Sequence, residues 1–229
     1  MIKVKNLVKV YGEGDSAERA IDDITLEIPE AKFVAIMGKS GCGKTTFLNL
    51  IGGLDYPSSG EIFCKGIRLN DLSNNQLSDY RNKNIGYVFQ DFYLEPSFTT
   101  LENVEMPLII AGMPKKERRQ KAIELLNRLG LEDKIHKKVN TLSGGQKQRA
   151  AIARALVHSP SIILADEPTG NLDSKNGAEV IAILKQISLE GKTVILATHN
   201  KEDAMKADYI IELVDGRVSK RTEADHEEK

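Results

Sequence analysis

The sequence predicts an α/β fold, a parallel sheet with crossover helices preceded by an antiparallel β region. Three observations carry this. Phe33-Val34-Ala35-Ile36-Met37, Ser161 to Ala165 and Thr193 to Ala197 are short continuous apolar runs, the texture of strands buried on both faces. Helical patterns lie between those runs. Near the start, Ile2 and Val4 alternate with Lys3 and Lys5, and Ile24, Leu26 and Ile28 alternate with polar neighbours, as half-buried antiparallel strands do.

The elements follow in order. Pro29-Glu30 breaks the alternation, and the first apolar run ends at Gly38. A helix is expected over Thr45 to Leu54, after a glycine cluster. A second helix is expected over Lys115 to Leu129, with Ala122, Leu125, Leu126 and Leu129 on one stripe. Pro114 precedes this helix and Gly130 follows it, which suits its two ends. A third is expected over Ser174 to Leu189, with Ala178, Ile181, Leu184 and Ile187 inward. Asp215-Gly216, between Tyr209 to Val214 and Val218, reads as a terminal hairpin turn. The charged stretch 220–229 reads as a disordered tail. No repeat or linker divides the 229 residues, so one domain is expected over 1–229.

Composition excludes several classes. Net charge is -1, with no basic footprint for nucleic acid. No run reaches the ~18 apolar residues that span a bilayer, so no direct membrane insertion is expected. The start lacks a signal-peptide core, which places the expected location in the cytoplasm. Cys42 and Cys64 follow no spaced pattern and read as free thiols.

The chemistry begins at Gly38-Lys39-Ser40-Gly41-Cys42-Gly43-Lys44-Thr45, which fits G-x-x-x-x-G-K-[ST] and is followed by Thr46. Glycines let backbone N–H groups turn inward around phosphate oxygens, and the helix that follows adds its positive end. Lys44 is placed for the β- and γ-phosphates, and the Thr45 hydroxyl for Mg²⁺. The fold class thus sharpens to a P-loop NTPase core. Ile162-Ile163-Leu164-Ala165-Asp166-Glu167-Pro168 ends a buried strand in two acids, where α/β sheets bind ligands. Asp166 is the candidate for the Mg²⁺ shell, and Glu167 for polarising an attacking water. Pro168 is expected to hold Glu167 in extended backbone.

A P-loop alone does not separate its many users. A GTPase needs N-K-x-D, and Asn82-Lys83-Asn84 lacks the aspartate. The discriminator is Leu142-Ser143-Gly144-Gly145-Gln146. Ser143 to Gln146 is an S-x-x-Q capping box, and its glycines expose N–H groups at the positive end of a helix continuing through Gln148 to His158.

With Arg149 and Ile152-Ala153-Arg154-Ala155-Leu156 behind it, this segment resembles the signature of the ABC transporter ATPases. The resemblance covers nearly the whole chain. It implies an N-terminal antiparallel β subdomain and an inserted α-helical subdomain at about 91–158. It implies that Tyr11 stacks on adenine, that Gln90 touches Mg²⁺ or the water, that Asn171-Leu172-Asp173 is the D-loop, and that His199 contacts the γ-phosphate. It also implies ATP and Mg²⁺ as ligands and a composite site. The P-loop of one copy faces Ser143, Gly144, Gly145 and Gln146 of another, in a homodimer closed by ATP. An integral membrane permease subunit is the implied partner, holding the ATPase peripherally at the inner face of the cell membrane.

Leu48 to Asp55, Ile85 to Gln90, Leu101 to Leu108 and Ala165 to Ser174 are similar to the branch serving lipoprotein release, macrolide export and antimicrobial-peptide resistance. Amino-acid importers share much of that text. Soluble ABC proteins of repair or translation carry two ATPase domains, coiled-coil insertions or zinc motifs, and this chain has none. A regulatory module without turnover is disfavoured by Glu167 and His199. Lys39 and Cys42 depart from common family residues. Cys42 is expected to be a reactive thiol if it is accessible at the helix end. Phe92, Tyr93 and Phe98, within Asp91 to Val104, are candidates for the permease contact or for packing inside the helical subdomain.

Overall fold

The computed structural model describes residues 1–223. Strands β1 (Ile2–Tyr11), β2 (Glu18–Ile28), β4 (Ser59–Cys64) and β5 (Ile67–Arg68) form an antiparallel sheet in the order β2-β1-β4-β5. The alternation read from the sequence holds there, because Ile2, Val4, Ile24, Leu26 and Ile28 all face inward. Six further strands form the main sheet. They are β3 (Phe33–Met37), β6 (Ile85–Phe89), β7 (Ile162–Asp166), β8 (Thr193–Thr198), β9 (Tyr209–Val214) and β10 (Arg217–Glu223), in the order β10-β9-β3-β8-β7-β6. All neighbours are parallel except β10, which pairs antiparallel with β9.

Continuous apolar runs occur because both faces of this sheet are covered. Val34, Ile36, Leu164, Ile195 and Ala197 pack into one core, with β1, β2 and helix α1 (Lys44–Ile51). Phe33, Ala35, Ile163, Val194 and Leu196 pack into the other. That second core is closed by α3 (Thr100–Ile110), α4 (Lys115–Arg128), α5 (Gly144–Leu156) and α6 (Ser174–Leu189). Helix α2 (Asn74–Asn84), started by a Ser73–Gln76 capping box, lies on the first side through Leu77 and Tyr80. Helix α7 (Lys201–Ala204) follows β8.

Several expectations need correction. Helix α1 stops at Ile51, since Gly53 turns left-handed at φ 69°. In α6 the inward stripe runs through Gly177 rather than Ala178, which is exposed. The signature helix begins at Gly144, directly on its Ser143 cap, and ends at Leu156. Residues 220–223 of the expected tail are ordered. Lys220, Arg221, Thr222 and Glu223 pair with Glu212, Ile211, Ile210 and Tyr209. A ladder on an open sheet edge needs backbone groups, not apolar side chains, and Arg221 also sits over the Tyr209 ring at 5.4 Å. The rest of that tail, 224–229, lies outside the described residues. No helix among the described residues is long and apolar enough to cross a membrane.

Candidate active site

The carboxyl ends of β3, β7 and β8 deliver the chemistry to one place. A cavity of about 860 Å³ is lined by Tyr11, Lys39, Ser40, Gly41, Gly43, Lys44, Thr45, Thr46, Gln90, Asp166, Glu167 and His199. Residues from five separate stretches of sequence thus converge, as in a substrate site at strand ends. Glu18 and Ala20 also line it, and no motif marked them. Ala20 has a steric role. Gly43 sits at φ 102°, and a Cβ there would come within 2.4 Å of the Ala20 carbonyl oxygen. Only glycine fits this bend before α1.

Lys44 is 6 % exposed. Its Nζ donates to the Gly38 and Lys39 carbonyls at 2.8 and 3.0 Å and lies 3.5 Å from Glu167 Oε1. The two carbonyl bonds fix the ammonium at the cavity floor and leave one proton for an incoming anion. Thr45 Oγ1 donates to Asp166 Oδ2 at 2.7 Å. Asp166 Oδ1 is buried without any hydrogen-bond partner. Burial raises the Asp166 pKa, against the opposing Thr45 hydrogen bond. An acid raised by burial is least costly when protonated, so its share of stability is full below the ordinary carboxylate range. That share is lost as pH rises through the raised folded value. Asp166→Asn is therefore expected to raise the melting temperature of the ligand-free chain by about 2–4 °C near neutral pH. It is expected to slow ATP turnover at the same time. Scanning calorimetry and phosphate release check both, and a lowered melting temperature would count against the assignment.

Glu167 departs from expectation. Its φ is 46°, left-handed rather than extended. Its N–H donates to the Ala197 carbonyl at 2.9 Å, and its own carbonyl accepts from Gly170 N at 3.0 Å. Those two bonds over-determine a turn that the local preference before Pro168 would not choose. The carboxylate then meets His199, whose Nδ1 lies 2.9 Å from Oε2. An ionised carboxylate can only accept, so in this contact Nδ1 is the donor and Nε2 is not engaged by Glu167.

Gln90 joins the pocket from the end of β6. Its Nε2 donates to Asn171 Oδ1 at 3.3 Å, and Asn171 Nδ2 donates to the Gln90 carbonyl at 3.2 Å and to Asp91 Oδ1 at 3.0 Å. Tyr11 is 42 % exposed. Its hydroxyl donates to Asp55 Oδ2 at 2.7 Å, and Lys9 Nζ, which also bonds Asp55, lies 4.8 Å from the ring centre. One ring face is therefore occupied by a cation, and stacking is left to the other.

Gly38 and Cys42 form the wall behind the loop rather than its lining. Cys42 is 6 % exposed, with its sulfur against Gly38, so the accessible thiol is not found. Its position after the loop turn carries the side chain into the core, while its carbonyl accepts from Gly216 N at 3.1 Å.

Ser143, Gly144, Gly145 and Gln146 do not line this cavity. Ser143 caps α5, accepting from Gln146 N at 3.4 Å, and its own N–H donates to Gln146 Oε1 at 3.0 Å. A Cβ on Gly145 would meet Asn176 Oδ1 at 2.1 Å, and one on Gly144 would meet Leu172 at 3.2 Å. The glycines thus let Asn171, Leu172 and the start of α6 lie against the first turn of α5.

Gln148 was not singled out from sequence. It is fully buried, and its Nε2 donates to the Pro168 carbonyl at 2.8 Å and the Phe89 carbonyl at 3.2 Å. A polar residue in a capped helix reads as solvent-facing, and nothing in its neighbours marks it otherwise.

Residues 21–170 match the family described as ABC transporter. The chain is 47% identical over 218 residues to the uncharacterized ABC transporter ATP-binding protein MJ1508 of Methanocaldococcus jannaschii, covering 95% of this chain and 97% of that one. It is also 47% identical over 218 residues to the macrolide export ATP-binding/permease protein MacB of Photorhabdus laumondii, but spans only 34% of that longer protein. Among solved structures, a dimeric post-hydrolysis state of the ATP-binding cassette MJ0796 bound to ADP and Pi matches with a TM-score of 0.90 and 46% identity. That match covers 98% of this chain and 99% of the other. With the family match running over more than half of the chain and such relatives near half identity, the chain belongs to the ABC transporter family, as one of its ATP-binding, ATP-hydrolysing cassettes.

Proposed function

We propose that two copies of this chain close head to tail around two ATP molecules and drive a separate integral membrane permease, in export or force transmission of the macrolide, lipoprotein or antimicrobial-peptide type. One observation carries the reading. Lys44, Glu167 and His199 share a cavity that Ser143 to Gln146 do not line, so each chain holds two half-sites that only a second copy completes. The dimeric state of the MJ0796 relative and the name of the MacB relative support it. Residues 1–229 act as one ATPase domain with helices inserted at about 91–158. The permease would hold it at the inner face of the membrane.

In this reading Gly38 to Thr46 cradle the phosphates, and Tyr11 stacks on adenine. Glu167 accepts a proton from water as the water oxygen bonds the γ-phosphorus and the bond from that phosphorus to the β-phosphate oxygen breaks, giving ADP and phosphate. His199 orients Glu167 through Nδ1. Mg²⁺ fits the residues present. The orphan Asp166 Oδ1 is a buried acceptor suited to a cation, on the carboxylate that also holds the Thr45 hydroxyl, in a cavity that Gln90 lines as well. When bound, it would neutralise phosphate charge.

The aromatics after Gln90 are the proposed permease contact, because Tyr93 is 65% exposed. Tyr93→Ala is expected to abolish permease-stimulated turnover in proteoliposomes while basal hydrolysis stays within about twofold. Equal stimulation of variant and parent would overturn the contact.

A further inference from the structure

The segment after Gln90 holds an unusual backbone. Phe92 and Tyr93 are consecutive, aromatic and both left-handed, at φ 60° and 45°. Bulky residues avoid this region, and each such residue stores strain that its surroundings must hold in place. The holding group is on another element. Arg154, in the last turn of α5, donates through Nη2 to the Phe92 carbonyl at 2.8 Å and through Nη1 to the Tyr93 carbonyl. The planar fork of a guanidinium suits two adjacent acceptors, and a lysine cannot reproduce it. Among the described residues its hydrogen-bond partners are those two carbonyls, and burial pulls its pKa down. A half-buried cation with only carbonyl partners is costly to keep, so its two bonds are the feature that accounts for it.

We propose that Arg154 is a positioning residue, a two-pronged latch by which the signature helix holds residues 91–94 in a strained form and thereby sets the Gln90 amide in the nucleotide cavity. Gln90 lies two residues before the strained pair and is tied to Asn171, so the segment has one anchored end in the site and one on α5. Edge-to-face contact of Tyr93 with Phe89, ring centres 5.0 Å apart, continues the hold toward β6. Movement of the signature helix would then reach the nucleotide through Arg154, and movement of the exposed Tyr93 would reach it by the same route. The inference rests on the role given to Gln90 above.

The full chain tests it. Arg154→Gln is expected to lower kcat about tenfold while KM for ATP changes less than about twofold. Amide exchange at residues 91–95 is expected to quicken by at least about tenfold. Arg154→Lys should fall between variant and parent. Adding Tyr93→Gly, which relieves one left-handed residue, should return at least about threefold of the lost rate. A role in bulk packing alone would give no such rescue. Unchanged exchange at 91–95 in Arg154→Gln, or a loss of rate that Tyr93→Gly leaves untouched, overturns the latch. Gln90→Ala, run alongside, separates the two readings: parent turnover there overturns the role of Gln90 and not the hold on the segment.

Discussion

Glu167→Gln is expected to lower ATP turnover by about 10²–10⁴-fold, the range for loss of a positioned general base. ATP binding should survive. Glutamine keeps the shape and can still accept from His199 Nδ1 through its carbonyl oxygen, so the 2.9 Å contact has a substitute. The left-handed backbone at residue 167 is set by Ala197 and Gly170, not by the carboxylate, and should persist. What is lost is proton acceptance. If ATP closes the dimer and hydrolysis opens it, the variant should run as a dimer in ATP and as a monomer without it, by light scattering. Turnover at the parent rate would remove Glu167 from its assigned role.

The second large effect is expected at the signature. Gly144→Asp places an anion in the first turn of α5. In the isolated chain this is favourable to the helix by about 0.3–1 kcal/mol, and the neighbouring Leu172 methyl has only to yield slightly. Folding and ATP binding by the monomer should therefore remain normal. In the closed pair the same carboxylate would face the partner's γ-phosphate, and turnover should fall by about 10²–10³-fold. Lys44→Ala should fail for the opposite reason, since it removes the cation from the cavity floor. Mixing these two inactive chains is the decisive measurement. Half of randomly paired dimers are mixed and each has one intact site, so about a quarter of parent turnover should return if sites fire independently. A mixture no faster than its components would end the shared-site reading.

Much of this site was legible because its chemistry is bound to spacing. The glycines and Lys44 must follow a strand and open a helix, and the Ser143 cap announces itself three residues ahead of Gln146. What was not legible depends on contacts distant in sequence. Cys42 looks like a helix-end thiol until β9 and Gly38 close over it. Pro168 argues for extended backbone until β8 supplies the Ala197 carbonyl to Glu167. Helix α2 has few apolar residues to give a period, and only its capping box marks it. Residues 220–223 look like a solvated tail because the edge that orders them belongs to β9.

Gln148 has one more consequence. Its buried amide ties α5 to the Phe89 carbonyl on β6, next to Gln90, and to the Pro168 carbonyl, next to Glu167. Any rotation of α5 relative to the sheet must break or carry along both bonds. Leaving one such buried group unpaired costs about 1–3 kcal/mol, the same size as the free energies by which distant sites typically influence one another. The cassette's helical layer is thus neither welded to the sheet nor loose upon it. A tilt of that layer would have to meet this cost before it reached the residues beside Gln90 and Glu167.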